Sequence, residues 1–88
     1  MNSDLELIVA SVKDELIRAM GRYRPSRSAH EAFAIIKEEV DELWEAVRTN
    51  NTHKVYYETV QVAAMAIRLL YDYATNQWEG HVIKPNKI

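Results

Sequence analysis

Eighty-eight residues make one small domain, and a cysteine-free chain of this size commonly gains stability from self-association, a metal or tight helix packing. The lack of cysteine excludes disulfides and thiolate metal sites and fits a reducing, cytoplasmic setting. A formal charge of −2 argues against duplex nucleic acid as a partner, and two Gly with two Pro give too few turns for an all-β fold.

In chain order, MNSDLELIVASVKDEL has acids on both sides of a short apolar run and no basic leader, so it reads as neither a signal peptide nor a membrane span. Ser3 and Glu6 form a capping box. Leu5, Ile8, Val9, Val12, Leu16, Ala19 and Met20 then recur at helical spacing, and Gly21 suits a left-handed stop. This first helix is assigned to packing.

Residues 21–28, GRYRPSRS, form a loop made locally basic by Arg22, Arg24 and Arg27. Guanidinium groups match phosphate oxygens in bidentate fashion, so the loop reads either as a polyphosphate clamp or as solvated charge balancing an acidic neighbour.

Ser28 and Glu31 form a second capping box, which opens a helix over His30–Val47, HEAFAIIKEEVDELWEAV. His30 falls in its first turn and reads as a surface or capping residue. At about 100° per residue, Phe33, Ile36, Leu43, Trp44 and Val47 lie within roughly 60° of Val40 and define the expected core stripe. Ala32, Ala46 and Ile35 extend the apolar surface on one side, and Glu39 interrupts it there. Glu38, Asp41 and Glu45 lie on the opposite, polar arc. An acid inside an apolar arc breaks the binary pattern, as functional sites tend to do.

Asn50, Asn51 and Thr52 mark a turn, and a third helix is expected over 54–74. It is apolar over most of its circumference, with one polar stripe of Lys54, Glu58, Gln61, Arg68 and Asp72 that also holds Met65. Two other helices cover only part of such a surface, which implies a partner subunit. The tail, residues 76–88, carries Trp78, Val82 and Ile83 between the breakers Gly80 and Pro85 and reads as a cover for a neighbouring subunit or for the end of the bundle. No internal repeat or domain boundary is evident, so residues 1–88 form one helical domain with a core over about 3–75.

Glu39 and Glu42, three residues apart, share a helix face, and Glu38 and Glu42 meet one turn apart. Such carboxylates suit a hard divalent cation, and Glu58 on an antiparallel neighbour supplies a further oxygen ligand with Gln61 one turn on. The alternative is a solvated glutamate-rich face.

Glu38-Glu39-Val40-Asp41-Glu42, followed after about fifteen residues by Glu58 on the apolar run ETVQVAAMAIRLL, resembles the MazG-like all-α nucleoside triphosphate pyrophosphohydrolases. The resemblance covers roughly residues 5–75. It implies an all-α helical bundle completed by oligomerisation, as a homodimer or homotetramer. It further implies Mg²⁺-dependent cleavage between the α- and β-phosphates of a nucleoside triphosphate, giving a monophosphate and pyrophosphate, with Mn²⁺ as a substitute cation. Under it Glu39, Glu42, Glu58 and Gln61 hold metal, Glu38 orients or deprotonates water, and Arg22, Arg24, Arg27 or Arg68 meets the leaving pyrophosphate. The family's second motif is ExxD, whose Asp is here Gln61; the amide keeps a carbonyl oxygen for a cation but removes one negative charge. Two further readings stand beside this one: a nucleotide- or metal-binding regulatory module weakened in turnover, and a plain helical oligomerisation domain.

Overall fold

The computed structural model describes residues 3–76 and Trp78. Within them three helices follow one another: α1 (Ser3–Arg22), α2 (Ala29–Arg48) and α3 (Thr52–Asn76). The described residues include no strand, as the residue composition implies. The longest helix, α3, packs against both others and more extensively against α2. No helix among the described residues is long and apolar enough to cross a membrane.

Local chemistry sets the boundaries. Ser28, in extended backbone, caps α2 by accepting a hydrogen bond from Glu31 N–H at 3.1 Å. The reciprocal half of the capping box is replaced, because the Glu31 carboxylate accepts from Arg27 N–H instead. At the other end Asn50 takes the left-handed conformation (φ 56°), Asn50 N–H reaches Val47 C=O, and Asn51 N–H reaches Ala46 C=O. That pair of bonds satisfies the last carbonyls of α2. The Asn51 side chain then accepts from Lys54 N–H and starts α3, two residues earlier than expected. Gly21 is not the left-handed stop of α1; the helix runs on to Arg22, and Tyr23 N–H still bonds Ala19 C=O.

The buried faces differ from those expected. On α2 the buried line is Ala32 and Ala46, and measured from Ala46, Ile35, Glu39 and Glu42 lie within about 40° of it. The expected core stripe faces outward: Phe33 is 60% exposed, Trp44 61%, and Val40 and Val47 are exposed too, while only Ile36 and Leu43 are half-buried. On α3 the polar stripe is the inner face, with Glu58, Gln61, Arg68 and Asp72 all buried. Ile67, Leu70 and Tyr71 of its apolar surface are exposed. Alanine governs this choice, because its small side chain lets helix backbones approach closely along the Ala32, Ala46 and Ala64 lines.

One end of the bundle is closed by a buried polar lock. Arg68 donates to the carbonyls of Ala19 (3.0 Å) and Tyr23 (2.8 Å), satisfying the C-terminus of α1. Its Nε lies 3.4 Å from Asp72, which accepts from Ser26 N–H at 2.9 Å. Trp78 stacks on Tyr73 and donates from Nε1 to Ser26 C=O at 2.7 Å. Trp78 thus covers the bundle end, one of the two roles expected for the tail; Val82 and Ile83 lie outside the described residues.

Candidate metal centre

Because the polar stripe of α3 faces the Ala32–Ala46 line of α2, the acids on the two helices meet. Glu39, Glu42 and Glu58 each offer a carboxylate oxygen within 4.8 Å of the others. Their burial is graded: Glu58 is buried, Glu39 half-buried and Glu42 exposed. The group lines one side of a cavity of about 620 Å³ shared by all three helices.

Like charges at this spacing, partly removed from water, resist ionisation. The Glu39 carboxyl is pushed up to about 7, chiefly by burial and then by the charges of Glu42, Glu58, Glu38 and Glu15. Glu58 is raised as well, by burial first and then by Glu42, with Lys54 acting in the opposite sense. The Glu58 Oε1 and Gln61 Nε2 atoms are buried without a hydrogen-bond partner among the described residues. A buried carboxylate oxygen with no donor is costly to maintain unless something cationic meets it. The donor set is all oxygen, as Mg²⁺ or Mn²⁺ prefers. Three carboxylates fit such an ion; Gln61, also a cavity wall, offers only a neutral oxygen.

The other expected site residues separate into groups. Glu38 is exposed and outside the cavity walls, although near enough to act on Glu39 through its charge. Arg24 and Arg68 line the cavity; Arg22 and Arg27 do not. Arg24 is bound by the Glu31 carboxylate through two nitrogens at 3.1 Å and by Pro25 C=O. Arg68 is held by the carbonyls that close α1.

Three wall residues, Glu15, Arg18 and Ala19, come from α1, the helix assigned to packing. The Glu15 side chain is 12% exposed and pairs with Arg18, whose side chain is 47% exposed, at the cavity edge. The Glu15 carboxyl is held below its ordinary range, first by Arg18 and then, against the effect of burial, by the Gln61 amide. The Gln61 contact is electrostatic rather than a well-formed hydrogen bond, since its Nε2 lacks good bonding geometry to any acceptor. A weak signal for Glu15 was present in the sequence: on a helical wheel it lies about 40° from Ala19, at the margin of the α1 apolar arc, whereas Glu39 lies inside its own.

No family model, characterised protein or solved structure matches this chain.

Proposed function

We propose that the chain is a divalent-cation-dependent nucleoside triphosphate pyrophosphohydrolase of the nucleotide-housecleaning kind, acting in the cytoplasm. The observation that carries this reading is the convergence of Glu39, Glu42 and Glu58 beside a cavity with arginines on its walls. Its MazG-like character rests on the sequence motifs.

In this reading Glu39, Glu42 and Glu58 hold Mg²⁺, with Mn²⁺ as substitute, and Gln61 contributes a neutral oxygen. The bound ion supplies charge neutralisation and polarisation of phosphate oxygens. The chain's own residues bind and orient the triphosphate: the half-buried cluster keeps the ion from full hydration, and the apolar walls Ala32, Ile35, Met65 and Leu69 suit the nucleoside end. The water-orienting carboxylate of this reading is Glu38, which stands outside the cavity walls and close enough to act on Glu39 through its charge.

The reading includes self-association as a homodimer or homotetramer. Its support is the outward placement of Phe33, Val40, Trp44 and Val47, together with Leu5, Leu7, Ile8 and Val9 of α1. Large apolar side chains left exposed along a helix face, as Phe33, Val40, Trp44 and Val47 are on α2, mark a surface suited to a protein partner. The assay is pyrophosphate release from a panel of natural and modified triphosphates with Mg²⁺; no product from any of them by wild-type protein excludes the enzyme.

A second reading is favoured by Gln61: a nucleotide–metal binding module with little or no turnover, since the amide removes a charge from the cluster. Calorimetric binding of a Mg²⁺–triphosphate without pyrophosphate release distinguishes it.

A further inference from the structure

We propose that Arg18, oriented by Glu15, is the cation that binds the phosphate tail in this cavity; the assignment rests on the metal–triphosphate reading above. A triphosphate brought against three glutamates needs positive charge beyond that of the metal, and the placement of the arginines narrows its source. Arg22 and Arg27 lie outside the cavity walls. Arg68 is buried, with both terminal nitrogens bonded to main-chain carbonyls. Arg24 has both terminal nitrogens on Glu31, one of them shared with Pro25 C=O.

Arg18 combines three properties that neither Arg24 nor Arg68 has together. It lines the cavity, it is half exposed to incoming solute, and its Nη1 has no hydrogen-bond partner among the described residues. Only one edge of the guanidinium is taken, with Nε 2.9 Å and Nη2 2.5 Å from the two Glu15 oxygens. That fork fixes the plane of the group and leaves its remaining N–H bonds for an anion. Glu15 is the positioning residue. Its carboxylate stands between Arg18 and the buried Gln61 amide, and it is near enough to Glu39 for their charges to interact. Gln61 lines the same cavity as this pair on α1 and the acids on α2 and α3. With an acid in place of Gln61, Glu15 would face a like charge across this junction.

The test titrates the full-length chain calorimetrically with Mn²⁺ alone and then with preformed Mn²⁺–tripolyphosphate. Arg18→Gln should keep its Mn²⁺ affinity within about twofold and weaken tripolyphosphate by about tenfold or more, the effect of losing a charge-assisted contact. Glu15→Gln should also spare Mn²⁺ and weaken tripolyphosphate by a smaller factor, because Arg18 keeps its charge and loses its anchor. Arg48→Gln, which is on α2 and outside the cavity, is the control for a general loss of positive charge. Unchanged tripolyphosphate binding in Arg18→Gln overturns the assignment while leaving the metal centre intact. Wild-type protein that binds Mn²⁺ but no tripolyphosphate overturns it as well. If Glu15→Gln loses Mn²⁺ affinity, Glu15 is a ligand and its positioning role fails. No Mn²⁺ binding by wild type removes the metal–triphosphate reading and this assignment together.

Discussion

Glu39 concentrates the conflict on which the candidate centre depends. Its carboxyl, raised to about 7 from an ordinary value near 4.5, keeps its proton in the folded chain at pH values where the unfolded chain has released it. Between those values the folded state binds more protons, so the metal-free chain loses stability as pH rises through about 4.5 to 7. Thermal melts in a chelator should show that decline, and Glu39→Gln should flatten it and melt higher than wild type at pH 8. A variant that retains the full wild-type slope would assign the titration to another group. Metal affinity should run the other way and strengthen up to about pH 7, since the cation displaces a proton. Gln61→Asp separates the same two quantities: it should raise Mn²⁺ affinity about tenfold by adding a ligand charge. It should lower metal-free stability by about 1–3 kcal/mol by replacing a buried neutral amide with a carboxylate beside the other acids. Calorimetry and urea denaturation measure the two changes independently.

At the level of elements, the two ends of α3 serve different purposes. Its first half supplies Glu58 to the cavity, and its second half joins α1 to the loop before α2 through Arg68 and Asp72. Asp72 is 1% exposed, so removing its cationic neighbour leaves a buried charge with weakened compensation. Arg68→Met should therefore cost about 3–5 kcal/mol in urea unfolding. Its partner variant Asp72→Asn should recover part of that loss in the double mutant, as residues in one network are coupled. A cost below about 1 kcal/mol would show that the lock contributes little. The arginine thus has a structural task that its polar position on α3 did not reveal, because sequence spacing shows which face a residue occupies and not what it meets there.

For the whole molecule, the arrangement is inverted relative to the simplest expectation, with polar residues between α2 and α3 and large apolar side chains outside. Among the described residues, the buried hydrophobic side chains are four alanines and Trp78. Such a core offers little apolar burial, at roughly 25 cal/mol per Å² removed from water. Self-association is the remedy proposed above, and it carries a direct expectation. Trp44→Glu, placing a charge amid Val40 and Val47 on the exposed stripe, should lower the sedimentation mass at micromolar concentration and reduce thermal stability along with it. An unchanged mass would remove the stripe from any subunit contact.

Hydrophobic periodicity, capping residues and a small complement of glycine and proline determined an all-α chain of three helices, with boundaries in error by about two residues. The pairing of Glu39 with Glu42 and the addition of Glu58 were also legible, because three-residue spacing on a helix and an acid in an otherwise apolar arc are local facts. Periodicity finds the widest apolar arc, however, and it took Phe33, Val40 and Trp44 for the core. The tertiary structure decided otherwise, since close approach along Ala32, Ala46 and Ala64 turns the narrower, acid-bearing face inward. That choice places Glu39 at the middle of the buried face rather than at its margin. It also draws in Glu15 and Arg18 from a helix that read as packing alone. Contacts between helices depend on which ridges meet, and that is a property of three helices together rather than of any one stretch of chain.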